Sequence, residues 1–258
     1  MLKPYTINPN LTETEWKFAI QVRPKNLLSQ NEKLAKGKIW QFSLPAAEAS
    51  IVQGGKVVKM KTCPGASSCL NWCYAQQGPF NFLGSMVAHA RNLQYVLDKP
   101  FDFAEQMIDE IKRKKVIKAV RWHDSGDFFS RAYFMVCKSI MEACPEINFY
   151  CYSKVLPLLK KLESEGHFPK NFTVVYSQGG KFDHLIDMAK DRHSRVFSSM
   201  KECLSAGYIV NNYNDVYAIN KKILKIGLVF HATVTYKKKT SKAIKEMIKT
   251  NIMSRAAG

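Results

Sequence analysis

The chain has 258 residues, 46% of them hydrophobic, enough for one large α/β domain with a sizeable core, and it contains no apolar run of the length that spans a membrane. Its 39 basic and 21 acidic residues leave a net charge of +18, which points to an anionic partner, with nucleic acid as the first candidate. The start Met1-Leu-Lys-Pro-Tyr lacks the apolar core of a signal peptide, and the seven cysteines, an odd number, suit reduced thiols better than a disulfide framework, so a cytoplasmic setting is expected.

Residues 1–36 are mixed and polar, with Pro4, Pro9 and Pro24 interrupting any long helix. They are expected to form an irregular N-terminal extension packed on a single α/β domain over 37–258. Ile39, Trp40 and Phe42 mark a strand over 38–44, and Gly54-Gly55 before Val57-Val58 marks a hairpin that leads into a cysteine-rich loop. Met86, Ala90, Leu93 and Leu97 then recur at helical spacing. A second helix follows Pro100, with Asp102 as its expected N-cap and Phe103, Met107, Ile108 and Ile111 on its apolar face.

From there the pattern alternates. Strands are expected over 116–124, 147–153, 172–177 and 196–200, with helices over 130–143, 156–165 and 183–189 between them. These strands are short and apolar with little surface alternation, as in parallel sheets covered on both faces. Further strands are expected at 208–210 and 227–233, followed by a basic C-terminal helix over 240–255. The pattern fits an open doubly wound sheet or a partial β/α barrel. Basic clusters occur at Lys112-Arg-Lys-Lys115, Lys221-Lys222, Lys225 and Lys237-Lys-Lys239.

The loop Cys63-Pro-Gly-Ala-Ser-Ser-Cys69-Leu-Asn-Trp-Cys73-Tyr-Ala carries three closely spaced thiols, with Pro64 and Gly65 supplying the bend. It reads as a metal site. No fourth cysteine or histidine lies nearby in sequence, whereas structural zinc sites use four ligands in paired units, so iron–sulfur ranks above zinc. A second polar segment, Arg121-Trp-His-Asp-Ser-Gly-Asp127, falls at the carboxyl end of an expected parallel strand, where α/β folds build their sites. There the Ser125 and Gly126 carbonyls and the Asp127 carboxylate are placed to accept from a ligand ammonium. Strand alternation puts Arg121 and His123 on one face, making His123 the candidate catalytic group. Tyr150, Tyr152 and Lys154 share a face of the next strand.

With Trp72 just before its last cysteine and Tyr74-Ala75 after it, the loop resembles a variant of the radical S-adenosylmethionine (SAM) cluster loop, whose common form is C-x₃-C-x-aromatic-C. Trp40-Gln-Phe-Ser-Leu-Pro-Ala, Cys63-Pro-Gly-Ala, Cys73-Tyr-Ala and Arg121-Trp-His-Asp-Ser-Gly-Asp-Phe-Phe also resemble the gene product 88 family of phage and plasmid proteins, over roughly residues 37–180. The latter resemblance carries no activity with it. The former implies a partial (β/α) barrel of mostly parallel strands with a [4Fe–4S] cluster on Cys63, Cys69 and Cys73. It further implies SAM bound at the open iron, an external electron donor, and a 5′-deoxyadenosyl radical that attacks the substrate. Ser125-Gly126-Asp127 is similar to the Gly-Gly-Glu type motif that holds the methionyl amino group. Trp72, Tyr152 and Ser177 are then expected beside the cofactor.

No phosphate-loop, dinucleotide, nucleophile-elbow or H-E-x-x-H motif is present. The rivals to the radical enzyme are a non-enzymatic metal-containing nucleic-acid-binding protein, and a small-molecule enzyme whose basic surface serves another purpose.

Overall fold

The computed structural model describes residues 11–230, and the backbone but not the side chain of Trp72. Among the described residues before the first strand, two short helices form where an irregular extension was expected. Helix α1 (Glu13–Gln21) opens on a capping box, in which the Thr12 hydroxyl accepts from the Glu15 N–H and the Glu15 carboxylate accepts from the Thr12 N–H. Helix α2 (Glu32–Lys36) is capped by Asn31, which accepts from the Leu34 N–H at 2.9 Å. Pro24 falls between the two helices and limits their length without abolishing them. Trp16 and Ile20 bury against Val52 and Ala90. Leu27 and Leu28 enter the main core, their N–H groups donating to the buried Glu110 carboxylate at 2.8–3.0 Å.

Strand β1 (Ile39–Phe42) is followed by the hairpin β2 (Glu48–Gln53) and β3 (Lys56–Lys61). Gly54 and Gly55 turn that hairpin with φ of 56° and 74°, the left-handed pair that a two-residue turn needs to match strand twist. Next come α3 (Leu83–Asp98) and α4 (Pro100–Arg113). The expected Asp102 cap is displaced: Lys99 is the N-cap and Pro100 opens the helix, where a missing N–H costs nothing, leaving Asp102 in the first turn. Then follow β4 (Ala119–Trp122), α5 (Arg131–Ala143), β5 (Asn148–Ser153), α6 (Leu156–Ser164) and β6 (Phe172–Ser177). The chain continues through β7 (His193–Phe197), α7 (Met200–Ser205), β8 (Ile209–Val210) and β9 (Lys225–Val229).

The helix expected over 183–189 is a single 3-10 turn, Asp183–Leu185. Asp187 accepts from the N–H groups of Ala189 and Lys190, which a helix would have used, and Asp183 accepts from those of Gly179 and Gly180 in the preceding turn. The strand expected over 196–200 sits earlier, because Ser199 caps α7. The expected helix over 240–255 lies outside the described residues.

Seven strands form one sheet in the order β1-β4-β5-β6-β7-β9-β8, all parallel, curled into a half-barrel. Phe42, Trp122, Phe149 and Cys151 point from its strands into the layer shared with the helices, where Phe103, Phe134, Ile140 and Leu159 complete the main core. The opposite face carries a smaller cluster of Ile39, Ala119, Tyr150, Val175 and Ile226. Each large apolar side chain so buried contributes about 1.5–3 kcal/mol. No helix among the described residues is long and apolar enough to cross a membrane.

Candidate metal and cofactor site

The cysteine loop lies across the carboxyl ends of the central strands. Its backbone is pinned to the segment after β6: the Cys69 N–H donates to the Gly179 carbonyl at 3.1 Å, the Lys181 N–H to the Gly65 carbonyl at 2.9 Å, and Ala66 bridges Gly180. Gly65 is required by space, since a Cβ there would stand 2.1 Å from the Lys154 carbonyl oxygen. On the other side the Asp127 N–H donates to the Thr62 carbonyl at 2.9 Å, and the Ala47 N–H points at the Cys63 sulfur at 3.3 Å.

Cys63, Cys69 and Cys73 consequently line one cavity of about 460 Å³, together with His123, Ser125, Gly126, Asp127, Tyr152 and Ser177. The side chain of Trp72 lies outside the described residues. Burial pushes the Cys63 thiol up to about 12, with the Asp127 charge acting the same way, and burial raises Cys73 as well. Such thiols stay protonated unless a cation binds them. As arranged, no group of three or more His, Cys, Asp or Glu among the described residues forms a single-ion site, in which each sulfur would stand about 2.3 Å from one zinc.

The loop after β4 is shaped by Gly126. Its φ is 83°, and a Cβ there would meet the Leu44 Cβ at 2.6 Å. Of the acceptors expected to face a ligand ammonium, two are already engaged. The Ser125 carbonyl accepts from the Leu44 N–H at 3.0 Å. The Asp127 carboxylate accepts from the Phe128 N–H at 2.8 Å, the Ser153 hydroxyl at 2.7 Å and the Lys154 N–H at 2.9 Å. Asp127 is thus first a clamp between β4 and β5. Burial raises its pKa, and these bonds work against the rise. Beside it the Lys154 ammonium donates to the Ser177 hydroxyl at 2.6 Å.

Alternation fails at His123, where the strand has ended and φ is 63°. Instead of following Arg121, the imidazole turns into a nest of Phe42, Trp122, Phe128 and Tyr133, with Nε2 bonded to the Tyr133 hydroxyl at 2.7 Å. Burial first, and then the Arg121 charge, push its pKa down to about 3. A ring held neutral in this way supplies no proton near neutral pH.

Arg121 reaches the opposite face and meets a residue that sequence reasoning missed. Asp215, fully buried, accepts from Tyr150 at 2.7 Å, Asn211 at 2.9 Å, Tyr152 at 3.0 Å, Lys33 at 3.2 Å and Arg121 at 3.3 Å. Burial works to raise its pKa, but the cations Arg121 and Lys33 outweigh burial and hold the carboxyl below its usual range. The one available clue was register: Arg121 pairs with Tyr150 across the sheet, and a cation and phenols on one covered face require a counter-charge.

No curated protein and no solved structure matches the chain. The gene product 88 family model matches residues 24–246, a span that takes in every strand of the half-barrel and all three thiols of the loop, and the chain belongs to that family.

Proposed function

We propose that this protein is a radical SAM-like enzyme in which Cys63, Cys69 and Cys73 hold a [4Fe–4S] cluster. The observation that carries the reading is a shared cavity: the cysteine loop, downstream of β1, and Ser125-Gly126-Asp127, directly after β4, open on the same space, and β1 and β4 are neighbours in a parallel half-barrel. That order is similar to the radical SAM arrangement, where the cluster loop follows the first strand and the amino-group motif follows the second. Three thiols on one cavity suit a cluster that takes each cysteine on a separate iron and leaves one iron open. When bound, the cluster supplies an electron that cleaves SAM and yields a 5′-deoxyadenosyl radical for hydrogen abstraction.

The chain's own residues orient and shield. The Gly126 backbone permits close approach, Asp127 fixes the β4 and β5 ends relative to one another, and Lys154 with Ser177 offers a cation and a hydroxyl to a carboxylate. The high thiol pKa of Cys63 makes metal loading release protons, so loading improves as pH rises. The +18 charge supports a nucleic-acid substrate, with an external electron donor completing the reaction.

Anaerobic purification followed by iron and sulfide analysis is the first test. Replacing Cys63, Cys69 or Cys73 by Ala should abolish cluster incorporation, whereas Cys137→Ala and Cys203→Ala should retain it. Equal iron in wild type and Cys69→Ala would sink the ligand set. Visible absorbance bleached by dithionite, SAM binding and release of 5′-deoxyadenosine complete the enzyme reading; a cluster without SAM binding selects the non-enzymatic nucleic-acid-binding protein instead.

A further inference from the structure

We infer that the cavity beside the thiols also receives an unpaired base of a single-stranded nucleic acid, an inference that rests on the nucleic-acid partner named above. The cavity is also lined by Lys33, Gln41, Tyr74, Arg121, Asp124 and Asn212, none of which the cluster or SAM reading employs. Three of its polar atoms, Gln41 Oε1, Arg121 Nε and Asp124 Oδ1, are buried without a hydrogen-bond partner among the described residues. Buried polar groups are normally satisfied, and together these atoms offer one donor and two acceptors, the kinds of group that a base edge pairs with.

Charge separates a base from a phosphate. Lys33, Arg121 and Lys154 are balanced by Asp124, Asp127 and Asp215, so the interior matches a neutral group. The phosphates would stay outside, where the basic surface lies. Next to Asn212, the ring of Tyr213 is 70% exposed, and one turn beyond Lys33 the Lys36 ammonium covers one side of that ring at 4.7 Å from its centroid. An exposed ring with a cation beside it is a stacking platform for a nucleotide, and Tyr74, also partly exposed, carries the aromatic surface inward to Arg121. A duplex presents no free base to such a cavity.

The basic run at 112–115 provides the internal comparison. It spans the last residues of α4 and the turn toward β4, at the amino ends of the strands and outside the cavity lining. The test is fluorescence anisotropy of the full chain with a labelled single-stranded oligonucleotide, the matching duplex, and an abasic strand of equal length, at several salt concentrations. The single strand should bind best. Tyr213→Ala combined with Lys36→Gln should weaken it about tenfold or more, as loss of one stacked base predicts. Gln41→Met should erase the preference for the strand with bases over the abasic one, and Lys112→Gln with Lys115→Gln should leave that preference intact. Because Tyr213 and Lys36 are on the surface, their replacement leaves the core untouched. Equal affinity for abasic and normal strands, equal affinity for the duplex, or binding of an unstructured peptide with no oligonucleotide binding would each overturn the inference. Iron content and SAM cleavage, measured on the same preparations, report separately on the cluster.

Discussion

Asp215 gathers two cations, two phenols and an amide around one carboxylate, and it shows what the interior demands of a single residue. Replacing it with Asn keeps the shape but leaves Lys33 and Arg121 without their counter-charge. Breaking a buried pair from one side costs about 3–5 kcal/mol, so Asp215→Asn should lower the urea midpoint accordingly, while wild-type stability would place the network's energy elsewhere. His123 gives a pH dependence of definite sign. Its folded pKa of about 3 lies below the unfolded value near 6.5, so the unfolded chain binds the extra proton between those limits. The stabilisation is complete above about pH 6.5 and declines as pH falls toward 3, by at most ~1.4 kcal/mol per pH unit for this group. Unfolding curves at several pH values, with His123→Gln for comparison, should show the slope in wild type and its reduction in the variant.

At the scale of elements, the cysteine loop depends on its neighbours more than on itself. Gly65→Ala inserts a methyl into the space held by the Lys154 carbonyl and should weaken docking by about 1–3 kcal/mol, the usual range for overpacking. Iron incorporation should fall while far-ultraviolet circular dichroism keeps the wild-type shape; full iron content in this variant would show that the loop loads without its seat. Much of this layout is legible in local pattern. The alternation from α5 to β6 survives almost to the residue because each strand is a short apolar run between helices with clear apolar faces, whereas β4 is found but shortened to Ala119–Trp122. The hairpin is legible in Gly54-Gly55 for the same local reason. What escapes is set by distant partners. The left-handed backbone at His123 reverses its face, the side-chain cap of Asp187 dissolves an expected helix, and Asp215 acquires its meaning only when α2 and β4 converge on it. The thiols were legible by spacing; the engagement of Ser125 and Asp127 by Leu44, Ser153 and Lys154 was not.

For the molecule as a whole, 39 basic residues against 21 acidic set the expected response to salt. Nucleic-acid affinity should fall linearly in log–log form with salt, since each neutralised phosphate releases condensed counterion, and neutralising 112–115 should reduce that slope without changing base preference. A salt-independent affinity would remove the electrostatic partner altogether. The seat of the cysteine loop also imposes an order in time. Cys63, Cys69 and Cys73 leave the ribosome well before Gly179, Gly180 and Lys181, which pin the loop. At 5–20 residues per second the delay is roughly ten seconds. During that interval the three thiols belong to a nascent chain without a cage, open to oxidation and to the wrong metals. Loading of the cluster proposed above would therefore follow synthesis of residues 179–181, and a chain truncated before residue 179 should keep its three thiols but incorporate no iron.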